Sequence, residues 1–152
     1  MKVQVVSATA SHALAIVCNL CSETKEDLAR GWSVEGVDAI SASLVDVVEN
    51  TESYAVLADG RVMCVFGISD LNIAWFLPTA DFERIAFRFV RHCKEFFAEW
   101  METRSVIYSY IYEGNTKMVR WLEWCGFEHT KNELFNGHVY RRYRLCACQP
   151  SR

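Results

Sequence analysis

The chain has 152 residues, of which 51% are hydrophobic and 23% charged, and its formal net charge is −3. That supplies one globular domain with a core large enough to need neither disulfides nor metals, and no apolar run is long enough to cross a bilayer. The stretch "MKVQVVSATASHALAIVCNLC" breaks its apolar residues with Ser, Thr and His instead of offering a signal sequence, so a soluble product of the cytoplasm, or one packaged from it, is expected.

The small net charge hides an asymmetry. Residues 1–60 hold nine acidic and three basic side chains, a balance of −6, whereas residues 61–152 hold ten and thirteen, a balance of +3. Arg84, Arg88, Arg91 and Lys94 recur at helical spacing, and "YRRYR" at 140–144 adds three more cations. Such a stripe suits a phosphate-bearing ligand, a nucleic acid or an acidic protein face; with no nucleic-acid motif beside it, a solvated helix face is favoured.

In chain order, "KVQVV" is a short strand. "SHALAIVCNLCSETKEDLARG" reads as one or two helices, capped at Thr9 or Ser11, with a second start at the Thr24–Asp27 spacing and a stop at Gly31. Val37, Ile40, Leu44 and Val48 then predict an amphipathic helix from near Ser33 to Asn50. "SYAVLADGRVMCVFGI" is a hairpin, because Asp59-Gly60 provides the positive φ angles of a tight turn. "NIAWFL" is a third strand, stopped by Pro78. The longest helix is predicted from Asp81 to Glu102, with Phe82, Ile85, Phe89, Cys93, Phe96 and Trp100 as its apolar stripe and Thr79 or Asp81 as its cap. "RSVIYSYIY" is a strand, Asn115 to Cys125 a short helix closed by Gly126, and Asn136-Gly137 turns a final hairpin between "FEHTKNEL" and "HVYRRYRL". This order is a mixed α/β (α+β) domain with a largely antiparallel sheet.

The seven cysteines are odd in number and mostly lie among apolar neighbours, as reduced thiols used as small hydrophobes do. Cys18 and Cys21 form a CxxC, and Cys146 with Cys148 a CxC, which together offer the four sulfurs of a zinc site. A pair in a helix-like segment and a pair in a tail make no usual zinc knuckle, and no metal is expected.

The element order together with "NTKMVRWLEWCGF" resembles the GNAT N-acetyltransferase superfamily, whose later half commonly reads strand, N-x-x-A-x-x-(L/F)-Y-x-x-x-G-F, then two strands. Asn115 stands at the motif Asn and Gly126-Phe127 at its Gly-Phe. A closer likeness is to the small GNAT-like proteins of short-tailed bacteriophages, among them an internal virion protein. Their pattern is echoed by "YIYEGNTKMVRWLEWCGF" and by the Trp-containing strand "IAWFL". The resemblance implies a single GNAT-like domain over residues 1–148 with a short tail at 149–152. Its mostly antiparallel sheet would have about six or seven strands, with helices on both faces.

It also implies a site. Acetyl transfer in this superfamily holds the cofactor's pyrophosphate on backbone N–H groups of an R/Q-x-x-G-x-G/A turn, because glycine permits close approach and a helix start favours an anion. Here "PTADFERIA" stands in that place, and no glycine occurs between Gly67 and Gly114. Thr79, Ala80, Asp81 and Arg84, with Asn115, are the residues left to bind acetyl-CoA. The usual proton donor, a Tyr seven residues after the motif Asn, is Leu122, which has no proton to give. Tyr108, Tyr110 and Tyr112 on the preceding strand are substitutes, and Glu113 and His129 are candidate bases. Each has a plain structural alternative: strand tyrosines pack, and Asn115 is an apt cap for its own helix.

Two readings therefore stand together. One is a GNAT-fold bacteriophage protein, virion-associated or an assembly component, whose acyl-CoA site is degenerate and whose partners are other phage or host proteins. The other is an active acetyl-CoA-dependent N-acetyltransferase acting on a host protein or small amine. Either would reside in the bacterial host cytoplasm, the first also in the virion, and a nucleic-acid partner is disfavoured.

Overall fold

A computed structural model describes residues 1–146, which form two compact units. Cys148 and the expected tail lie outside the described residues. Unit 1 comprises residues 1–71 and 75–86, and unit 2 comprises 72–74 with the chain from Phe87 onward.

In unit 1, strand β1 (Val3–Ser7) is followed by helices α1 (Ala10–Val17), α2 (Ser22–Gly31) and α3 (Val37–Asn50), then strands β2 (Glu52–Ala58), β3 (Arg61–Ile68) and β4 (Ala74–Pro78). The four strands form one sheet in the order β1-β2-β3-β4. Asp59 and Gly60 turn the β2–β3 hairpin with φ of 50° and 82°, as their residue types predict. Thr9 caps α1 in a capping box with His12. The α2 start lies two residues before Thr24, whose hydroxyl instead donates to the Pro78 carbonyl at 3.0 Å. Gly31 is the last residue of α2 and the left-handed turn falls at Ser33, φ 57°. The α3 start is later than the apolar spacing predicts, because Gly36 sits at φ 88° and its carbonyl accepts the first helical bond, from Ile40. The core joins Ala13 and Ile16 of α1, Leu28 of α2, Leu44 of α3 and Val65 of β3, all at 1% exposure or less.

Unit 2 holds nearly all of α4 (Ala86–Met101), β5 (Val106–Tyr112), α5 (Thr116–Trp124), β6 (Glu128–Phe135) and β7 (His138–Cys146). Its antiparallel sheet has the order β5-β7-β6, and Asn136 and Gly137 turn the β6–β7 hairpin at φ 50° and 78°. Asn72 and Ile73 run beside β5, where Tyr108 N–H donates to the Asn72 carbonyl at 2.8 Å. Side chains alternate across a strand. Ser109 therefore faces the same way as its register partner Tyr143, whose hydroxyl donates to Glu123 of α5 at 3.2 Å. Tyr108, Tyr110 and Tyr112 point to the other face.

The long helix begins at Ala86, not at Asp81. A one-turn 3₁₀ segment, Phe82–Arg84, precedes it, and the Asp81 side chain caps nothing. Among the described residues no helix is long and apolar enough to cross a membrane, and no group of His, Cys, Asp and Glu is placed to hold a metal ion.

Candidate functional site

The sequence-expected residues fall into two sets, one in each unit. In unit 1 the chain leaves β4 through Thr79–Ile85. Thr79 is 2% exposed, and both its N–H (3.0 Å) and its hydroxyl (2.7 Å) donate to the Met63 carbonyl of β3. Ala80 N–H donates to the Asn19 carbonyl at 2.8 Å. The N–H groups of Phe82, Arg84 and Ile85 donate to the carbonyls of Thr79, Asp81 and Phe82 at 3.1, 3.0 and 2.9 Å. Five donors of the expected anion-binding turn thus already serve protein carbonyls, three of them by closing the 3₁₀ segment on itself. A backbone N–H has one proton to give, so these groups are turned away from any external anion.

The turn also carries its own carboxylate. Asp81 accepts from the Asn19 amide at 2.9 Å and pairs with Arg61 at 2.9 Å, so one side chain ties the β4 exit to the α1–α2 connection and to the β2–β3 hairpin. Arg84 is exposed on the 3₁₀ segment. Neither Asn19 nor Arg61 was identifiable beforehand: they lie 62 and 20 positions from Asp81, with no local spacing to mark them.

In unit 2, Asn115 caps α5, its side-chain oxygen accepting the Met118 N–H at 3.3 Å. Leu122 is 4% exposed, so the motif's acid position is core. The Tyr108 ring lies under the Arg142 guanidinium at 5.0 Å, and Arg142 is itself held by Thr130 at 2.8 Å. Tyr110 is about one-third exposed. The Tyr112 ring meets His138 and Tyr140 edge-on at 6.0 Å each, and a Cβ on Gly114 would stand 2.5 Å from it, so this ring is a packing element. Glu113 is exposed, with its N–H on the Val139 carbonyl at 3.1 Å. His129 Nε2 lies 2.7 Å from the Asn132 oxygen and 3.2 Å from the Lys131 carbonyl, with its ring tilted over Tyr143.

A second cluster in unit 2 was not foreseen. Cys93 of α4 and Cys125, which ends α5, place their sulfurs 3.1 Å apart, and Trp121 Nε1 donates to Cys93 at 3.0 Å. Bonding from Cys125 lowers the Cys93 thiol below its usual range despite burial, while the same bond pushes Cys125 up. In the sequence Cys93 belongs to an apolar stripe and Cys125 stands among apolar neighbours, with nothing local to pair them.

Several solved acetyltransferase structures share this architecture. A GNAT-family acetyltransferase of Bacillus anthracis superposes with a TM-score of 0.71 at 8% identity, covering 96% of this chain and 95% of its own. The chain has the GNAT fold. The ribosomal-protein-S5-alanine acetyltransferase of Vibrio fischeri gives 0.67 at 13% identity over 99% and 97% of the two chains. A ribosomal L7/L12 alpha-N-protein acetyltransferase in complex with coenzyme A gives 0.70 at 11% identity over 96% and 94%. No protein-family model matches the sequence, and comparison with curated proteins finds no relative. The resemblance drawn from "NTKMVRWLEWCGF" therefore pointed to the right fold: the GNAT element order is present in full, with seven strands among the described residues.

Proposed function

We propose that this protein is a GNAT-fold bacteriophage component that acts by protein–protein interaction, in virion structure or assembly, with a degenerate acyl-CoA site. One observation carries the loss of acyl transfer: the β4 exit turn gives five N–H groups to protein carbonyls and presents the Asp81 carboxylate. Pyrophosphate needs converging N–H donors and a positive local field, and the turn supplies neither in the expected form. Leu122, buried where the superfamily places a phenol, supports the same reading. The phage assignment rests on the likeness of "YIYEGNTKMVRWLEWCGF" and "IAWFL" to the short-tailed-phage proteins. Partners on this reading are other phage or host proteins.

The second reading, an acetyl-CoA-dependent N-acetyltransferase of a host protein or small amine, is favoured by the neighbours' own activity and by the coenzyme A bound in one of them. Calorimetric titration of the purified chain with acetyl-CoA separates the two. No heat of binding at millimolar cofactor is expected; micromolar affinity would overturn the degenerate site and leave the enzyme. Mass spectrometry of purified particles addresses the packaged role, for which the chain must be found in them.

A further inference from the structure

We infer that Cys93 and Cys125 are an oxidation site, two thiols poised to close an intrachain disulfide at the expense of a peroxide. The inference stands on contacts inside unit 2 and is independent of acyl-CoA binding. The sulfurs are already 3.1 Å apart, and an S–S bond of about 2.05 Å needs only about 1 Å of closure. Cys93 projects from the middle of α4. Cys125 is the residue at which α5 stops, followed by Gly126 at φ 97°, so its side chain is at a helix end where small adjustments disturb no downstream helical turn.

The surroundings assign the two sulfurs different roles. Cys93 can give its proton to the Val90 carbonyl, 2.9 Å away, while accepting from Trp121 Nε1 at 3.0 Å and from the Cys125 thiol. Once ionised it loses only the Val90 bond and keeps both donors. With the Cys93 proton on Val90, the Cys125 thiol is the donor across the 3.1 Å contact, and it is the harder of the two to ionise. Cys93 is thus the attacking sulfur and Cys125 the resolving one. Their exposures of 3% and 8% admit a small oxidant better than a protein thiol.

The chemistry balances with hydrogen peroxide as the oxidant. The Cys93 thiolate attacks one peroxide oxygen, the O–O bond breaks, and the departing hydroxide leaves as water with the proton Cys93 has shed. The product is Cys93 sulfenic acid. The Cys125 sulfur then attacks Cys93 Sγ, the S–O bond breaks, and the second hydroxide leaves as water with the Cys125 proton. Two thiols have lost two electrons and two protons, and one peroxide has become two waters.

The test uses the full chain: brief exposure to hydrogen peroxide, alkylation of remaining thiols in denaturant, and non-reducing peptide mass spectrometry. A species joining the Cys93 and Cys125 peptides, lighter by two hydrogens and reversed by dithiothreitol, is expected. The melting temperature should rise by roughly 5–10 °C, because the bridge closes a long loop of the unfolded chain. In Cys125→Ser, a dimedone adduct should appear on Cys93 in place of the linked species. Alkylation of both thiols after peroxide, or a bridge made by other cysteines, would overturn the proposal. The wild-type experiment decides the pairing even where Cys125→Ser does not fold.

Discussion

At position 115 the side-chain oxygen accepts the Met118 N–H at 3.3 Å, so one residue carries both the GNAT motif and the start of α5. The two roles respond differently to substitution. Asn115→Ala removes the cap and should cost about 1 kcal/mol, which lowers the melting temperature by roughly 2–4 °C, while Asn115→Asp should retain most of it. Thermal denaturation of both variants checks this; equal losses in the two would show that the amide does something a carboxylate cannot. Asp27 of α2 offers a pH signature. Burial raises its carboxyl above 3.8 and outweighs Arg30, 2.9 Å away. The folded chain therefore holds the extra proton between 3.8 and the higher folded value, and stability falls as pH rises through that window. The side chain is 43% exposed, so solvent keeps the effect small. Asp27→Asn should remove that fall, so that the melting temperature of the variant gains on the parent as pH rises through the window; two parallel curves would show that Asp27 contributes nothing to the acid dependence.

Among the elements, the hairpins were legible because two independent signals agree: period-two apolar residues, and Asp-Gly or Asn-Gly at positions that do take positive φ. Helix starts were less legible. Asp81 and Thr79 both look like caps, yet Thr79 is drawn into the sheet by Met63 and Asp81 is held by Asn19 and Arg61, so α4 begins only after a 3₁₀ turn. The unusual features of the candidate site lie in these contacts. Absent glycines and Leu122 could be read along the chain; the partners that take up the turn's donors could not, because tertiary register alone brings residues 19, 61 and 63 to residues 79–81. Asp81→Ala should destabilise by about 1–2 kcal/mol, mostly through the Asn19 hydrogen bond, since the Arg61 side chain is 60% exposed and its pair is screened. It should not create acetyl-CoA affinity, because the five N–H groups keep their carbonyl partners. Urea denaturation and calorimetry test the two halves, and cofactor binding by the variant would show that the carboxylate alone blocks the turn.

For the molecule as a whole, stability depends on where apolar atoms lie and not on how many there are. Leu44 on α3 is 1% exposed inside the unit 1 core, and Leu134 near the β6–β7 turn is 75% exposed. Truncating each to Ala removes the same atoms. At Leu44 the lost transfer energy adds to the cavity left among α1, α2 and β3 residues, about 2–5 kcal/mol. At Leu134 water already covers the side chain, and a change within about 0.5 kcal/mol is expected. Against a total of about 5–15 kcal/mol for a domain, the first loss is a large fraction of what holds the fold and the second is negligible. Urea titrations should therefore show Leu44→Ala with a much lower midpoint at the same slope, and Leu134→Ala superimposing on the parent. A matching loss at Leu134 would mean that its side chain is covered in solution, making the β6–β7 tip a contact surface and not a solvated turn.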